Sequence, residues 1–124
     1  MAIKKVLLFI TLILCGCASI NKNTVVIDTS PRNGEVNVPS GMYSLKIIFS
    51  NKLNPKPWGI NFTANQEDIE PSSEPSFSEN TFVWPVTLQP NKHYVFELRN
   101  EFPTFIDING NKPEAYQFEF TTGK

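Results

Sequence analysis

Residues 82–98, with the sequence FVWPVTLQPNKHYVFEL, decide the fold. Large apolar side chains stand at every second position in two runs, which are Phe82, Trp84, Val86 and Leu88, and then Tyr94, Phe96 and Leu98. A β-strand with one buried face needs this period of two. Pro90 and Tyr94 lie at the corner between the runs, where a tyrosine hydroxyl can bind a nearby backbone group and fix a crossover between two sheets. We predict two strands joined by such a tyrosine corner; the alternative role for Tyr94 is a plain core side chain.

Further short strands are predicted on both sides of this stretch. Segments with alternating or β-branched character are 24–29, 36–38, 43–49, 58–63 and 114–122, and turn-forming residues separate them. No segment after residue 17 has an apolar stripe of helical period. Residues 65–79 contain five acidic residues and no basic one, so we expect an exposed acidic connection there. The pattern predicts an all-β sandwich.

Pro85 conflicts with the strand that contains it. Proline has no N–H group to donate to a neighbouring strand, so within sheets it is confined to edge strands and bulges. We therefore expect the strand around Pro85 to lie at or near an edge of its sheet, or to carry a bulge.

The first 17 residues have the layout of an export signal. Lys4 and Lys5 precede an apolar run at 6–14, which is shorter than the roughly 20 residues that a membrane-spanning helix needs. The run ends in Leu14-Cys15-Gly16-Cys17, which resembles the recognition box of bacterial lipoprotein signals. The resemblance implies cleavage before Cys17 and a diacylglycerol on its sulfur, so Cys17 is the expected lipid attachment site. The alternatives are a plain signal peptide and an uncleaved apolar helix.

This interpretation divides the chain into a signal peptide at 1–16, a lipid-anchored tether at 17–23 and one domain at 24–124. Several acyl chains anchor a protein stably, whereas a single chain holds it weakly. The residue after the anchor is Ala18 and not aspartate, which in enterobacterial-type sorting implies the outer membrane. We therefore expect a bacterial cell-envelope protein that is attached to the outer membrane by its lipid anchor.

Charge and cysteine content argue against some partners. Loss of Lys4 and Lys5 with the signal lowers the net charge from −1 to −3, so nothing favours electrostatic binding of nucleic acid. Cys15 is lost as well, and the mature domain is then stabilised by burial without a disulfide. We expect no cofactor.

Several segments together resemble the bacterial Ig-like domains of surface-layer and other envelope proteins. They are residues 30–39 (SPRNGEVNVP), 45–50 (LKIIFS), 88–94, 107–111 (DINGN) and 118–123 (FEFTTG), in an order that spans residues 25–123. The resemblance implies an all-β fold, an immunoglobulin-like β-sandwich of about seven strands. It also implies a spacer, an adhesive module or an appended unit and not a catalyst.

Loop aromatics are the candidate ligand contacts. Trp58, Phe102 and Phe105 lie in or beside predicted loops, where exposed rings can stack on sugars or anchor a protein partner. The alternative is that these rings fold over the open end of the sandwich and belong to the core.

Two polar features are candidates for a metal or catalytic site. The DINGN segment places Asp107, Asn109 and Asn111 at alternate positions, like the start of a calcium loop, but no bidentate glutamate follows. We expect a structural turn there, with metal binding as the alternative. His93 is the only histidine and lacks the partners of a catalytic or zinc site, so we expect a surface side chain.

The predicted function is that of a non-catalytic, lipid-anchored envelope protein whose Ig-like domain mediates protein interaction or assembly at the membrane. The alternative is a carbohydrate-binding surface lipoprotein that uses the loop aromatics. A sugar site should expose two coplanar rings in one patch. A protein site should show an apolar patch or an open edge strand, and an enzyme needs a pocket with convergent polar groups.

Replacing the anchor cysteine tests the signal. We predict that Cys17→Ser leaves the precursor without lipid, because serine has no thiol to carry the diacylglycerol. Metabolic labelling with a palmitate analogue measures this, with Cys15→Ser as the matched control that keeps its label. Full labelling of the Cys17→Ser protein would overturn the assignment.

Overall fold

The computed structural model describes residues 23–64 and 69–124, which form two packed β-sheets. The strands are β1 Val26–Ser30, β2 Glu35–Val38, β3 Gly41–Phe49, β4 Asn61–Ala64, β5 Ile69–Pro71, β6 Ser76–Ser78, β7 Thr81–Leu88, β8 His93–Leu98 and β9 Tyr116–Thr122. The first sheet has the order β1-β3-β7-β5, with β6 also beside β7, and the second has the order β2-β9-β8-β4. Within the described residues no helix is long and apolar enough to cross a membrane. The predicted signal and tether, except Asn23, lie outside the described residues, and so does Cys17.

These nine strands of the described chain correspond to about seven immunoglobulin strands. One immunoglobulin strand is divided into β1 and β2, and another into β5 and β6. The chain leaves β1 at Ser30, turns at residues 31–34 and joins the other sheet as β2, which runs parallel to β9. The short strands β5 and β6 both lie along one side of β7, separated by residues 72–75. The strand order then matches that of constant-type immunoglobulin domains. The predicted all-β, immunoglobulin-like sandwich is confirmed.

The core lies between the inward faces of the two sheets. Segment 82–98 forms β7 and β8, and its alternate apolar side chains are all buried. In the second sheet the Phe96 ring stacks on Phe118 and Phe120, with ring centroids 5.1 and 5.6 Å apart. Such cross-strand ring pairs add to the burial of apolar surface that drives folding.

The segment predicted as an acidic connection contains β5 and β6 instead. Ile69 in β5 is buried, and the Phe77 ring in β6 lies 5.3 Å from Phe82 of the core. These two apolar side chains give the segment inward contacts, while Glu70 and Glu74 remain exposed. Residues 65–68 of the segment lie outside the described residues.

Pro85 lies in β7, which is not an edge strand itself but the neighbour of the edge strands β5 and β6. β7 pairs with β3 along its whole length and with β5 and β6 on its other side. The Ser72 N–H donates to the Pro85 carbonyl at 2.9 Å, so the backbone of Pro85 faces the β5–β6 side. There β5 has ended and β6 has not begun, and the missing N–H of Pro85 faces a break in the neighbouring strand. The expected position near an edge is confirmed, because the short strands β5 and β6 form the edge beside β7, and the interrupted partner resolves the conflict.

Tyr94 and Pro90 form the corner between β7 and β8. The Tyr94 ring is buried, and its hydroxyl accepts a hydrogen bond from the Gln89 N–H at 2.9 Å. The Thr122 hydroxyl donates to the Gln89 carbonyl at 2.6 Å and so ties the corner to β9. Pro90 precedes Asn91, whose φ of 54° completes the turn. This is the geometry of a tyrosine corner.

The two ends of the sandwich are formed by different connections. Thr24, where the described chain enters the domain, forms a β-bridge with Pro113. We call this the entry end; it consists of Thr24 and of the connections at 50–60, 79–80 and 99–115. The corner end holds residues 89–92 and the C-terminus, because the Asn91 N–H donates to the Gly123 carbonyl at 2.8 Å.

Tyr94→Phe tests the corner. We expect the free energy of unfolding to fall by about 1–2 kcal/mol, because the Gln89 N–H loses its partner while the ring stays buried. Urea denaturation measures the change. The matched control is Tyr116→Phe, whose half-buried ring makes no side-chain hydrogen bond to the described residues. An unchanged midpoint for Tyr94→Phe would argue against the corner.

Candidate ligand groove

An open groove of about 600 Å³ lies on one side of the sandwich. Its lining residues are Trp58, Pro71, Ser72, Ser73, Glu74, Pro75 and Trp84. This volume falls within the range of clefts that hold small molecules. The groove is therefore the first place in the described part of the chain to look for a ligand.

The break opposite Pro85 opens this groove. Residues 72–75 leave β7 after the Ser72–Pro85 hydrogen bond, and pairing with β7 resumes at Ser76. The intervening chain does not fully cover the Trp84 side chain, which is 6% exposed and reaches the groove wall. A core tryptophan thus becomes accessible along one edge.

Trp58 forms the facing wall. Its ring lies 5.4 Å from Trp84 at an interplanar angle of 62° and 5.3 Å from Phe82. The half-buried Trp58 rests on the core and presents the rest of its ring to the groove. The adjacent Gly59 admits the neighbouring loop, because a Cβ there would lie 2.8 Å from the backbone carbonyl carbon of Pro103.

The groove combines apolar walls with a polar and acidic rim. The two indoles and two prolines supply flat apolar surface, and Ser72 and Ser73 supply hydroxyl groups. Among the described lining residues only Glu74 is ionisable, and Glu70 lies close by in β5. Tryptophan faces attract cations, and aromatic-lined grooves bind extended proline-rich segments. The surface therefore suits an extended or positively charged ligand better than an anion.

The predicted contact aromatics occupy three different environments. Trp58 lines the groove, Phe102 is 69% exposed at the entry end, and Phe105 is fully buried. The Phe105 ring lies 5.0 Å from Phe49 and 4.9 Å from Phe82. Burial excludes a ligand contact at Phe105, and the alternative stated for these rings holds there, because this ring closes the entry end of the core.

Trp84 was predicted only as a core residue. The alternating pattern correctly predicted that Trp84 faces the core, but such a pattern does not reveal whether the neighbouring strand is continuous. Pro85 is the signal that could have revealed the exposed edge of Trp84. A proline inside an alternating strand cannot donate a backbone hydrogen bond, which implies a gap in the strand beside it. Such a gap uncovers the inward side chain next to the proline.

Asp107 is the centre of a buried hydrogen-bond network at the entry end. One carboxylate oxygen accepts from the N–H groups of Asn109 and Asn111, both at 2.9 Å. The other accepts from the Thr24 hydroxyl at 2.5 Å and the Asn51 amide at 3.3 Å. Four donors fill the acceptor capacity of a carboxylate, which leaves Asp107 no free lone pair for a calcium ion. The loop is therefore a structural turn, and the alternative of a metal site at Asp107, Asn109 and Asn111 is not supported.

The network also changes the acidity of Asp107. Burial raises the pKa of this carboxyl group, but the hydrogen bonds from Thr24, Asn111, Asn109 and Asn51 outweigh burial and lower the pKa below its ordinary value. The carboxylate is therefore ionised at neutral pH and holds the entering chain against loop 99–115.

Other titratable side chains are not grouped as a metal site in the described chain. His93 is exposed, and its Nε2 lies 2.7 Å from a carboxylate oxygen of Glu119. Among residues 23–64 and 69–124 no three His, Cys, Asp or Glu side chains are grouped to hold a metal ion.

Comparisons with known proteins agree with the fold. A family model described as "Bacterial Ig-like domain" matches residues 21–122. The chain belongs to this family. The predicted family resemblance is thus confirmed for essentially the whole domain.

A solved structure resembles this bacterial Ig-like domain as well. It is the N-terminal part of the bacterial S-layer protein SbsC, with a TM-score of 0.52 and 22% identity over 83% of this chain. The match takes up 24% of that solved chain, and at this identity the likeness shows the fold alone. A search of curated proteins found no match.

Asp107→Asn tests the entry-end network. The folded-state pKa of Asp107 is depressed, so its stabilisation is complete above about pH 4 and is lost as the pH falls through the folded-state pKa. We expect Asp107→Asn to lower the free energy of unfolding at pH 7 by about 2 kcal/mol, because charge-assisted hydrogen bonds are lost.

Urea denaturation at neutral and acid pH measures both effects. The variant should lose less stability than the wild type on acidification, because it has no carboxyl group to protonate at this position. Glu114→Gln, an exposed change at the same end, is the matched control. Equal acid sensitivity in Asp107→Asn and wild type would contradict the role given to the carboxylate.

Proposed function

We propose that this protein is a non-catalytic, lipid-anchored envelope protein that binds an extended segment of a partner protein in the groove between Trp58 and residues 71–75. The observation that carries the proposal is the groove itself, in which two tryptophans and two prolines meet one acidic rim. The anchor is Cys17, and the sorting residue Ala18 favours the outer membrane.

The envelope location has two independent supports. The export signal ends in a lipoprotein-type box at Cys17. The domain belongs to the bacterial Ig-like family and shares its fold with part of a surface-layer protein. Both supports favour a protein that works at the cell envelope.

The arrangement of rings favours a protein partner over a sugar. Trp58 and Trp84 cross at 62°, so they do not offer the coplanar pair on which sugar rings stack. Phe105 is buried, and Phe102 is not part of the groove lining. The half-buried Trp58 ring and the two prolines instead offer apolar surface along which an extended chain can place alternate side chains, and Trp84 adds only one edge of its ring.

Charge indicates the chemistry of the bound segment. Glu74 stands in the lining, and the sequence of residues 65–79 contains five acidic residues and no basic one. A lysine or arginine of the partner can lie against an indole face and direct its charge at Glu74. We therefore expect a basic, proline-containing segment of another envelope protein.

The groove chemistry also favours binding without catalysis. General acid–base or nucleophilic catalysis needs a reactive group within hydrogen-bond reach of a second one. The described lining offers the Glu74 carboxylate and two serine hydroxyls without a histidine, lysine or cysteine.

Calorimetric titration of the purified lipidated protein in detergent tests the proposal. The probes are a short peptide of alternating proline and lysine, the matched peptide of proline and glutamate, and a mixture of envelope oligosaccharides. We expect the lysine peptide to bind and the glutamate peptide to fail. Trp58→Ala should weaken binding by about 2 kcal/mol, the cost of losing an aromatic anchor.

Because Trp58 also packs on the core, a second variant keeps the test independent of folding. Ser73→Arg changes an exposed rim residue, places a positive charge beside Glu74 that offsets the acidic rim, and should abolish binding of the lysine peptide. Met42→Ser, an exposed apolar change outside the groove, is the control that leaves binding intact. Equal binding of both peptides, or binding of the oligosaccharides alone, would contradict the proposal.

A further inference from the structure

We infer that the entry end of the domain rests on the lipid bilayer, with the exposed side chains of Phe102 and Ile108 inserted at the membrane interface. The inference deepens the proposed function and rests on its lipid anchor at Cys17. It adds a second contact with the membrane, made by the folded domain itself. Two contacts fix the orientation of the domain relative to the bilayer.

Chain length limits how far this end can lie from the anchor. Seven Cα–Cα steps separate Cys17 from Thr24, and a fully extended chain of that length spans at most about 25 Å. Thr24 is fully buried, its hydroxyl donates to Asp107, and its carbonyl accepts from the Glu114 N–H at 2.8 Å. The domain therefore cannot lengthen the tether without breaking the entry-end network, and this end stays near the bilayer.

Phe102 is exposed although its surroundings are tightly held. The ring is 69% exposed, whereas Thr104 and Phe105 just after it are fully buried. Pro103 between them lies against Gly59, where no Cβ could fit. The backbone on one side of Phe102 is thus fixed, and the ring is held outward at the entry end.

Ile108 is presented in the same way. Its side chain is 52% exposed, and it follows Asp107, which is fully buried and bound by four donors. The Ile108 N–H donates to the Lys52 carbonyl at 3.0 Å. A fixed turn therefore carries this apolar side chain at the end where the tether begins.

Charge at the entry end favours apolar insertion over electrostatic adsorption. The connections at 50–60, 79–80 and 99–115 contain four basic residues and four acidic ones, which are Lys52, Lys56, Arg99 and Lys112 against Glu79, Glu101, Asp107 and Glu114. A balanced surface gains little from anionic lipid, whereas aromatic and branched aliphatic side chains partition into the interface. Two separate apolar protrusions also suit a soft planar phase better than a shaped protein pocket.

This orientation leaves the groove accessible. Trp84 lies three residues along β7 from Thr81, the first residue of that strand at the entry end, and strands rise about 3.3 Å per residue. Trp84 therefore lies about 10 Å from the entry-end terminus of its strand, and the groove opens on the side of the domain, although its Trp58 wall belongs to the connection 50–60 at the entry end. A partner segment can reach it without displacing lipid.

An environment-sensitive fluorophore tests the inference on the full lipidated protein in vesicles of phosphatidylethanolamine and phosphatidylglycerol. The acylated Cys17 has no free thiol, so a nitrobenzoxadiazole group can be attached at Glu101→Cys beside Phe102, or at Gln89→Cys at the corner end. We expect the label at position 101 to shift to the blue and to lose quenching by aqueous iodide. The label at position 89 should stay fully quenched.

Two sets of variants connect the signal to the side chains. Phe102→Ser combined with Ile108→Ser should restore iodide quenching at position 101, whereas Met42→Ser, an exposed apolar change near the corner end, should not. The blue shift should persist at high salt, because the entry end carries balanced charge.

The outcomes separate the anchor from the docked end. A mass spectrum without acyl groups on Cys17 overturns the proposed anchor and with it the inference. An acylated Cys17 with equal iodide quenching at positions 101 and 89 overturns the docked end and leaves the anchor standing. A blue shift that high salt abolishes also contradicts it, because electrostatic adsorption would then hold the domain.

Discussion

Two constraints act on β7 at once. Its inward side chains, at every second position from Phe82 to Leu88, are all buried, which fixes the strand in the middle of the first sheet against the aromatic face of the second. The backbone of Pro85 faces the β5–β6 side of β7 and has no N–H group to donate. The strand beside it is interrupted at that point. A continuous core therefore coexists with an interrupted sheet, and the groove follows from that combination.

Two of the exposed apolar side chains stand at the entry end, where packing is complete. At the entry end the Asp107 network uses the polar groups and Phe105 closes the core, so Phe102 and Ile108 are left facing outward. At the groove, Trp58 covers only part of the opening that the β5–β6 break leaves beside the core. In the proposed function the groove meets a basic segment, and in the further inference the entry end meets a bilayer.

Sequence reasoning predicted what depends on near neighbours. Alternation located β7 and β8, and the corner was predictable because Tyr94 binds Gln89, only five residues away. Distant pairings carry no such signal: Asp107 meets Thr24 across 83 positions, and that contact turns a calcium-like loop into a structural one. The burial of Phe105 likewise depends on which strands surround it. Composition misled as well, because acidic residues hid the short strands on either side of the break.

Residue-resolved amide hydrogen exchange on the folded protein tests the central claim about β7 most directly. The N–H groups of Trp84 and Val86 face β3 within a continuous ladder, so they should exchange only through global unfolding. The N–H groups of Ser73 and Glu74 lie in the break and should exchange close to the rate of an unprotected chain. Protection of Ser73 and Glu74 as strong as that of Trp84 would mean that the strand beside Pro85 is continuous, and it would contradict the account.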